Sequence, residues 1–95
     1  MRFLDGKYQG AEYPVAAAAI RIGRHPDGDM VLLDDAVSET HARITLDANG
    51  IWLEDLGSEG GTWVNGQRIE RVALALGDRI AIASHVMELK TSDRD

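Results

Sequence analysis

Apolar residues recur along this chain with the two-residue period of β-strands rather than the 3.6-residue period of helices. Ile20-x-Ile22, Ile44-x-Leu46, Ile51-x-Leu53, Ile80-x-Ile82 and Met87-x-Leu89 each alternate an apolar residue with another type, which turns one face of each strand inward. Met30-Val31-Leu32-Leu33 is continuously apolar and reads as a strand buried on both faces. Trp63-Val64 reads as strand core. Turn clusters separate these runs: Asp5-Gly6, Pro26-Asp27-Gly28-Asp29, Asn49-Gly50, Gly60-Gly61, Asn65-Gly66 and Gly77-Asp78. Asn49-Gly50 and Asn65-Gly66 each predict a tight hairpin with both central residues at positive φ. Ala16 to Ala19 are good helix formers, but four residues cannot nucleate a helix in water, so they are assigned to a strand and its approach. Many short, closely spaced strands predict an all-β sandwich. Residues 1–90 are expected to form a single domain. Thr91 to Asp95 are polar and patternless, like a tail or the start of a linker.

The chain has 95 residues, 44% of them hydrophobic and 27% charged, the profile of one small globular domain. No apolar run is long enough to cross a bilayer, and no basic segment followed by an apolar core marks a signal peptide. With no Cys, disulfides and thiolate metal sites are excluded, which fits a reducing, cytoplasmic setting. Net charge is −6 with ten basic residues dispersed along the chain, whereas nucleic acid or an anionic membrane would require a concentrated basic face. Eight of the ten basic residues are Arg, the side chain suited to bidentate recognition of phosphate or carboxylate.

Three polar stretches between the strand-like runs carry the candidate chemistry. They are Gly23-Arg24, Ser38-Glu39-Thr40-His41, and Ser58-Glu59-Gly60-Gly61-Thr62-Trp63-Val64-Asn65-Gly66. Together they offer a guanidinium, a hydroxyl and a glycine-rich backbone, the parts needed to hold a phosphate. Arg24 can fork onto a phosphate, or pair with Asp27 or Asp29 in a solvated loop. Ser38 can donate its hydroxyl and backbone N–H to a phosphate oxygen, or cap a turn. His25, beside Arg24, is a further candidate that would add positive charge when protonated. A Ser and a His three apart suggest nucleophilic chemistry, but there is no nucleophile elbow or orienting acid. No catalytic residue, metal site or cofactor is expected.

The order and spacing of these stretches resemble the forkhead-associated (FHA) domain, and the resemblance runs from about Arg21 to Leu89. It includes Asp29-Met30-Val31-Leu32, Ala36-Val37, Leu53-Glu54-Asp55-Leu56 and Leu76-Gly77-Asp78-Arg79-Ile80. The resemblance implies a sandwich of about eleven short strands with ligand loops at one end, and a module that binds phosphothreonine peptides in signalling or secretion control. It implies a phosphopeptide site made of Arg24, Ser38, Glu39, Glu59, Gly60, Gly61 and Thr62. Gly23, His41, Asn65 and Gly66 would form its scaffold, with His41 tying the Ser38 loop to the sandwich. Two departures from the family pattern stand out. Gly60 replaces an Asn that holds the peptide backbone, and Glu39 and Glu59 stand where basic or polar residues are usual. Those carboxylates repel phosphate, pair with Arg24, or favour a peptide with basic residues beside the phosphothreonine. The same departures leave open a phosphate-independent structural module, of the kind found in bacterial secretion machines. The partner is expected to be a phosphothreonine-containing protein or peptide, and fusion of the domain to others is left open.

Overall fold

The computed structural model describes residues 1–4, 8–15 and 18–90. The Asp5-Gly6 turn, Ala16-Ala17 and the polar stretch 91–95 lie outside the described residues. Among those described there are ten strands and no helix: β1 (Arg2–Phe3), β2 (Ala19–Gly23), β3 (Met30–Val31), β4 (Ala42–Asp47), β5 (Gly50–Asp55), β6 (Thr62–Val64), β7 (Gln67–Ile69), β8 (Arg71–Leu74), β9 (Arg79–Ile82) and β10 (His85–Glu88). They form two five-stranded sheets, ordered β1-β10-β9-β6-β7 and β3-β2-β4-β5-β8. This is the expected sandwich, and every strand pair in it is antiparallel except β2 with β3.

The alternating residues meet between the sheets. Ile20, Ile22, Ile44 and Leu53 project from one sheet, and Val64, Ile80, Ile82 and Met87 from the other, into one core. Burial of each large aliphatic side chain contributes roughly 1.5–3 kcal/mol. The outward residues of β4, β5 and β8 stay at the surface, where the Arg71 guanidinium lies 4.3 Å from the centre of the Trp52 ring.

Three local expectations are corrected. The run Met30 to Leu33 is not a doubly buried strand: only Met30 and Val31 pair, with Ile22 and Gly23, and Leu33 is 61% exposed. Its amide donates to the Tyr8 hydroxyl at 2.9 Å instead of continuing the ladder. The β4–β5 hairpin forms, but Gly50 pairs with Asp47, so the turn is Ala48-Asn49, and Gly50 alone of the Asn49-Gly50 pair has positive φ (136°). Asp47 Oδ1 holds this turn by accepting the Asn49 amide at 2.8 Å. Trp63 is not core, because its neighbours Thr62 and Val64 face inward and it stands 37% exposed on the outer face. By contrast Asn65-Gly66 turns as expected, with φ of 51° and 86°. Nothing in the residue types announced the β9–β10 turn, where Ala83 takes φ 54°.

Candidate functional site

The connections β2–β3, β3–β4 and β5–β6 converge because backbone and buried side chains bind them to one another. Past the end of the β2–β4 ladder, the Arg24 amide donates to the Ser38 carbonyl at 3.0 Å and the His25 amide to the Glu39 carbonyl at 3.2 Å. Such close approach explains Gly23: a Cβ there would stand 2.1 Å from the Glu39 carbonyl oxygen. His41 is fully buried and joins two connections. Its Nδ1 accepts the Ser38 amide at 3.1 Å, and its Nε2 donates to the Gly61 carbonyl at 2.9 Å. Those two bonds require the neutral imidazole with its proton on Nε2. His41 thus ties the Ser38 connection to the Gly61 turn.

Asp55, at the end of β5, organises the third connection. Its carboxylate accepts the Gly57 and Ser58 amides at 3.1 and 3.2 Å, the Thr62 hydroxyl at 2.7 Å, and the Ser58 hydroxyl. Ser58 Oγ in turn accepts the Gly61 amide at 3.0 Å. Partial burial pushes the Asp55 carboxyl up, but the hydrogen bonds from Ser58, Thr62 and the Gly57 amide outweigh burial, and its pKa lies below the ordinary carboxylate value. Sequence reasoning assigned Asp55 and Ser58 no role at this site. The signal was present in the spacing Asp55-x-x-Ser58, the pattern of a side chain bonding the backbone just ahead of it.

Between these connections lies an open hollow of about 560 Å³. Arg24, Ser38, Glu39, Glu59 and Gly60, all expected there, line it together with Asp35, Ala36 and Val37. Arg24 Nε donates to the Val37 carbonyl at 3.0 Å, which anchors the guanidinium and leaves its terminal nitrogens for a ligand. No carboxylate among the described residues pairs with it. Asp29 is engaged by Arg21, whose amide it accepts at 2.9 Å, and neither Glu39 nor Glu59 closes on Arg24. Ser38 Oγ accepts the Glu59 amide at 3.2 Å, so its own hydroxyl hydrogen remains to be donated.

Other expectations for this site change. The Ser38 N–H is committed to His41 and is not offered to a ligand. Gly61 and Thr62 are both buried. Gly61 has its amide and carbonyl bonded inward, and the Thr62 hydroxyl is spent on Asp55, so both hold the loop instead of meeting a ligand. Gly61 needs its φ of 86°, whereas Gly60 has no positive φ and open space where a side chain would project. His25 lies outside the hollow, with Nδ1 accepting the Asp27 amide at 3.0 Å. Asn65 ties the β6–β7 hairpin to β9, accepting the Arg79 amide at 2.9 Å and donating to Asp78 at 3.0 Å; with Gly66 it supports the sheet, not the hollow. Asp35 adds a third rim carboxylate that the sequence did not single out. Among the described residues no group of three or more His, Cys, Asp or Glu is placed to hold a metal, and no helix is long and apolar enough to cross a membrane.

Comparison with known proteins places this geometry in company. Residues 2–93 match the family model described as "Inner membrane component of T3SS, cytoplasmic domain". The glycogen accumulation regulator GarA of Mycobacterium tuberculosis is 38% identical over 77 residues, which are 81% of this chain and 48% of GarA. The chain therefore spans about half the length of that curated relative. The crystal structure of the FHA domain of CT664 protein from Chlamydia trachomatis superposes with a TM-score of 0.85 at 30% identity, covering 96% of this chain and 94% of that one. Mycobacterium tuberculosis EmbR, solved in complex with a low affinity phosphopeptide, has a TM-score of 0.86 at 38% identity, over 95% of this chain and 24% of EmbR.

Proposed function

We propose that this chain, which belongs to the forkhead-associated (FHA) family, is a non-catalytic module that binds phosphothreonine peptides in the hollow between its three connections. The observation that carries this reading is the convergence of an anchored, unpaired Arg24 and the hydroxyl of Ser38 on one open hollow. Arg24 contributes charge-assisted hydrogen bonds to phosphate oxygens, and the Ser38 hydroxyl adds one more. The peptide lies against Gly60, which has open space where a side chain would project and no side chain to hold the ligand backbone. The rim carboxylates Asp35, Glu39 and Glu59 oppose the phosphate charge and favour basic residues beside the phosphothreonine. Residues 1–90 act as the binding domain, in a cytoplasmic setting.

Isothermal titration with a phosphothreonine peptide library tests this. Binding should vanish on dephosphorylation and weaken at least about thirtyfold in Arg24→Ala, the loss of roughly 2 kcal/mol expected for a charge-assisted contact. No phosphate-dependent binding, or binding indifferent to Arg24, would overturn it.

A second reading is favoured by the family model and the acidic rim: a phosphate-independent module that packs against neighbours in a secretion apparatus. Partner capture unaffected by phosphatase treatment and by Arg24→Ala would select it.

A further inference from the structure

Next to the hollow, the outer face of the β6–β7 hairpin carries two residues the binding reading does not use. Trp63 and Arg68 are directly paired across the hairpin and both are exposed. Side chains of such a pair lie on the same face of the sheet, here the face opposite buried Thr62 and Val64. Both reach back to the loop that borders the hollow. The Trp63 indole N–H donates to the Gly60 carbonyl at 3.2 Å. The Arg68 side chain lies so close to Gly61 that a Cβ there would stand 2.6 Å from its Nε. Arg68 forms no ion pair among the described residues. Beyond Trp63 the same row continues through Ala81 and Val86, half-buried and small enough to leave the indole accessible. Exposed Trp and Arg side by side are the types most enriched among residues that dominate binding surfaces.

We propose that Trp63 and Arg68 form a specificity shelf for the peptide held in the hollow. Arg68 takes the carboxylate of one acidic residue flanking the phosphothreonine, and Trp63 covers its aliphatic stem. The inference rests on the phosphopeptide reading and sharpens it into a positional rule. An acidic residue over the hollow meets Asp35, Glu39 and Glu59. Over the shelf it meets a guanidinium. One flanking position therefore favours Glu, while the others disfavour it.

The test moves a single Glu through the three positions on each side of phosphothreonine in an alanine-rich peptide. Affinities are measured for the parent protein, Arg68→Gln and Arg68→Glu. One position should gain about two- to fivefold from Glu, the worth of one exposed charge pair. That gain should disappear in Arg68→Gln and become a preference for Lys in Arg68→Glu. With Trp52→Phe in the background, Trp63 fluorescence should shift when the favoured peptide binds. Unchanged melting of Arg68→Gln would establish that the effect is one of contact rather than folding. If the peptides bind in an Arg24-dependent way and no position responds to Arg68, the shelf is wrong and the phosphopeptide reading stands. If no phosphopeptide binds, both fall.

Discussion

Glu39 and Asp55 are both carboxylates within one loop system, and their surroundings give them opposite meanings. Glu39 is exposed on the rim of the hollow, where the proposed phosphothreonine ligand would bring a charge of about −1.5 to −2. Repulsion between exposed groups costs on the order of 1 kcal/mol or less. Glu39→Gln should therefore tighten binding of a phosphothreonine peptide about two- to fivefold, measured by titration; unchanged affinity would remove the carboxylate from the account of specificity. Asp55 turns inward and accepts four hydrogen bonds. Its folded pKa lies below the ordinary value, so the folded state holds the ionised form more tightly than the unfolded chain does. The resulting stability is fully present above the unfolded carboxyl pKa of about 3.9 and is lost as pH falls through the lower folded value. Melting temperature measured against pH should drop across that acidic window, and Asp55→Asn should lose part of the drop while lowering stability at neutral pH.

At the scale of elements, the connections matter more than the strands they join. His41 donates to one connection and accepts from another, and no part of it lines the hollow. His41→Ala leaves the Ser38 amide and Gly61 carbonyl without partners and opens a void, a loss on the order of 3 kcal/mol. Melting should fall, and phosphopeptide affinity with it, although the substituted residue never touches ligand. The strand pattern was legible because period-two alternation is imposed directly by burial of one sheet face, as Ile20, Ile22, Ile44 and Leu53 demonstrate. Continuous apolar runs carry no such phase, which is why Met30 to Leu33 misled: Leu33 is solvent-exposed, and its amide is diverted to Tyr8. Arg24 and Ser38 were legible as neighbours in one polar hollow, and the structure brings them to it. The inward bond of Thr62 to Asp55 was not legible, since a hydroxyl beside a glycine turn serves an inward acceptor as readily as an outward one. Asp35 escaped notice because it reaches the rim only once the β3–β4 connection has folded across.

The whole molecule is acidic, with net charge −6, and its hollow presents one guanidinium among three carboxylates. A peptide flanked on both sides by lysines is attracted by this field, and one of net negative charge is repelled. Screening sets in over roughly 10 Å at 0.1 M salt. Raising ionic strength should therefore weaken the Lys-flanked phosphopeptide and narrow its advantage over a neutral-flanked one; equal salt responses would mean that the domain's overall charge plays no part in selection. A last consequence follows from the way the connections are tied. The amides of Arg24, Ser38, Leu56, Ser58 and Gly61 all donate to partners within the protein. Loops held in this manner should exchange those amide hydrogens more slowly than unbonded loop amides do. The bonds are in place before any ligand arrives, which lowers the cost of ordering these loops on recognition.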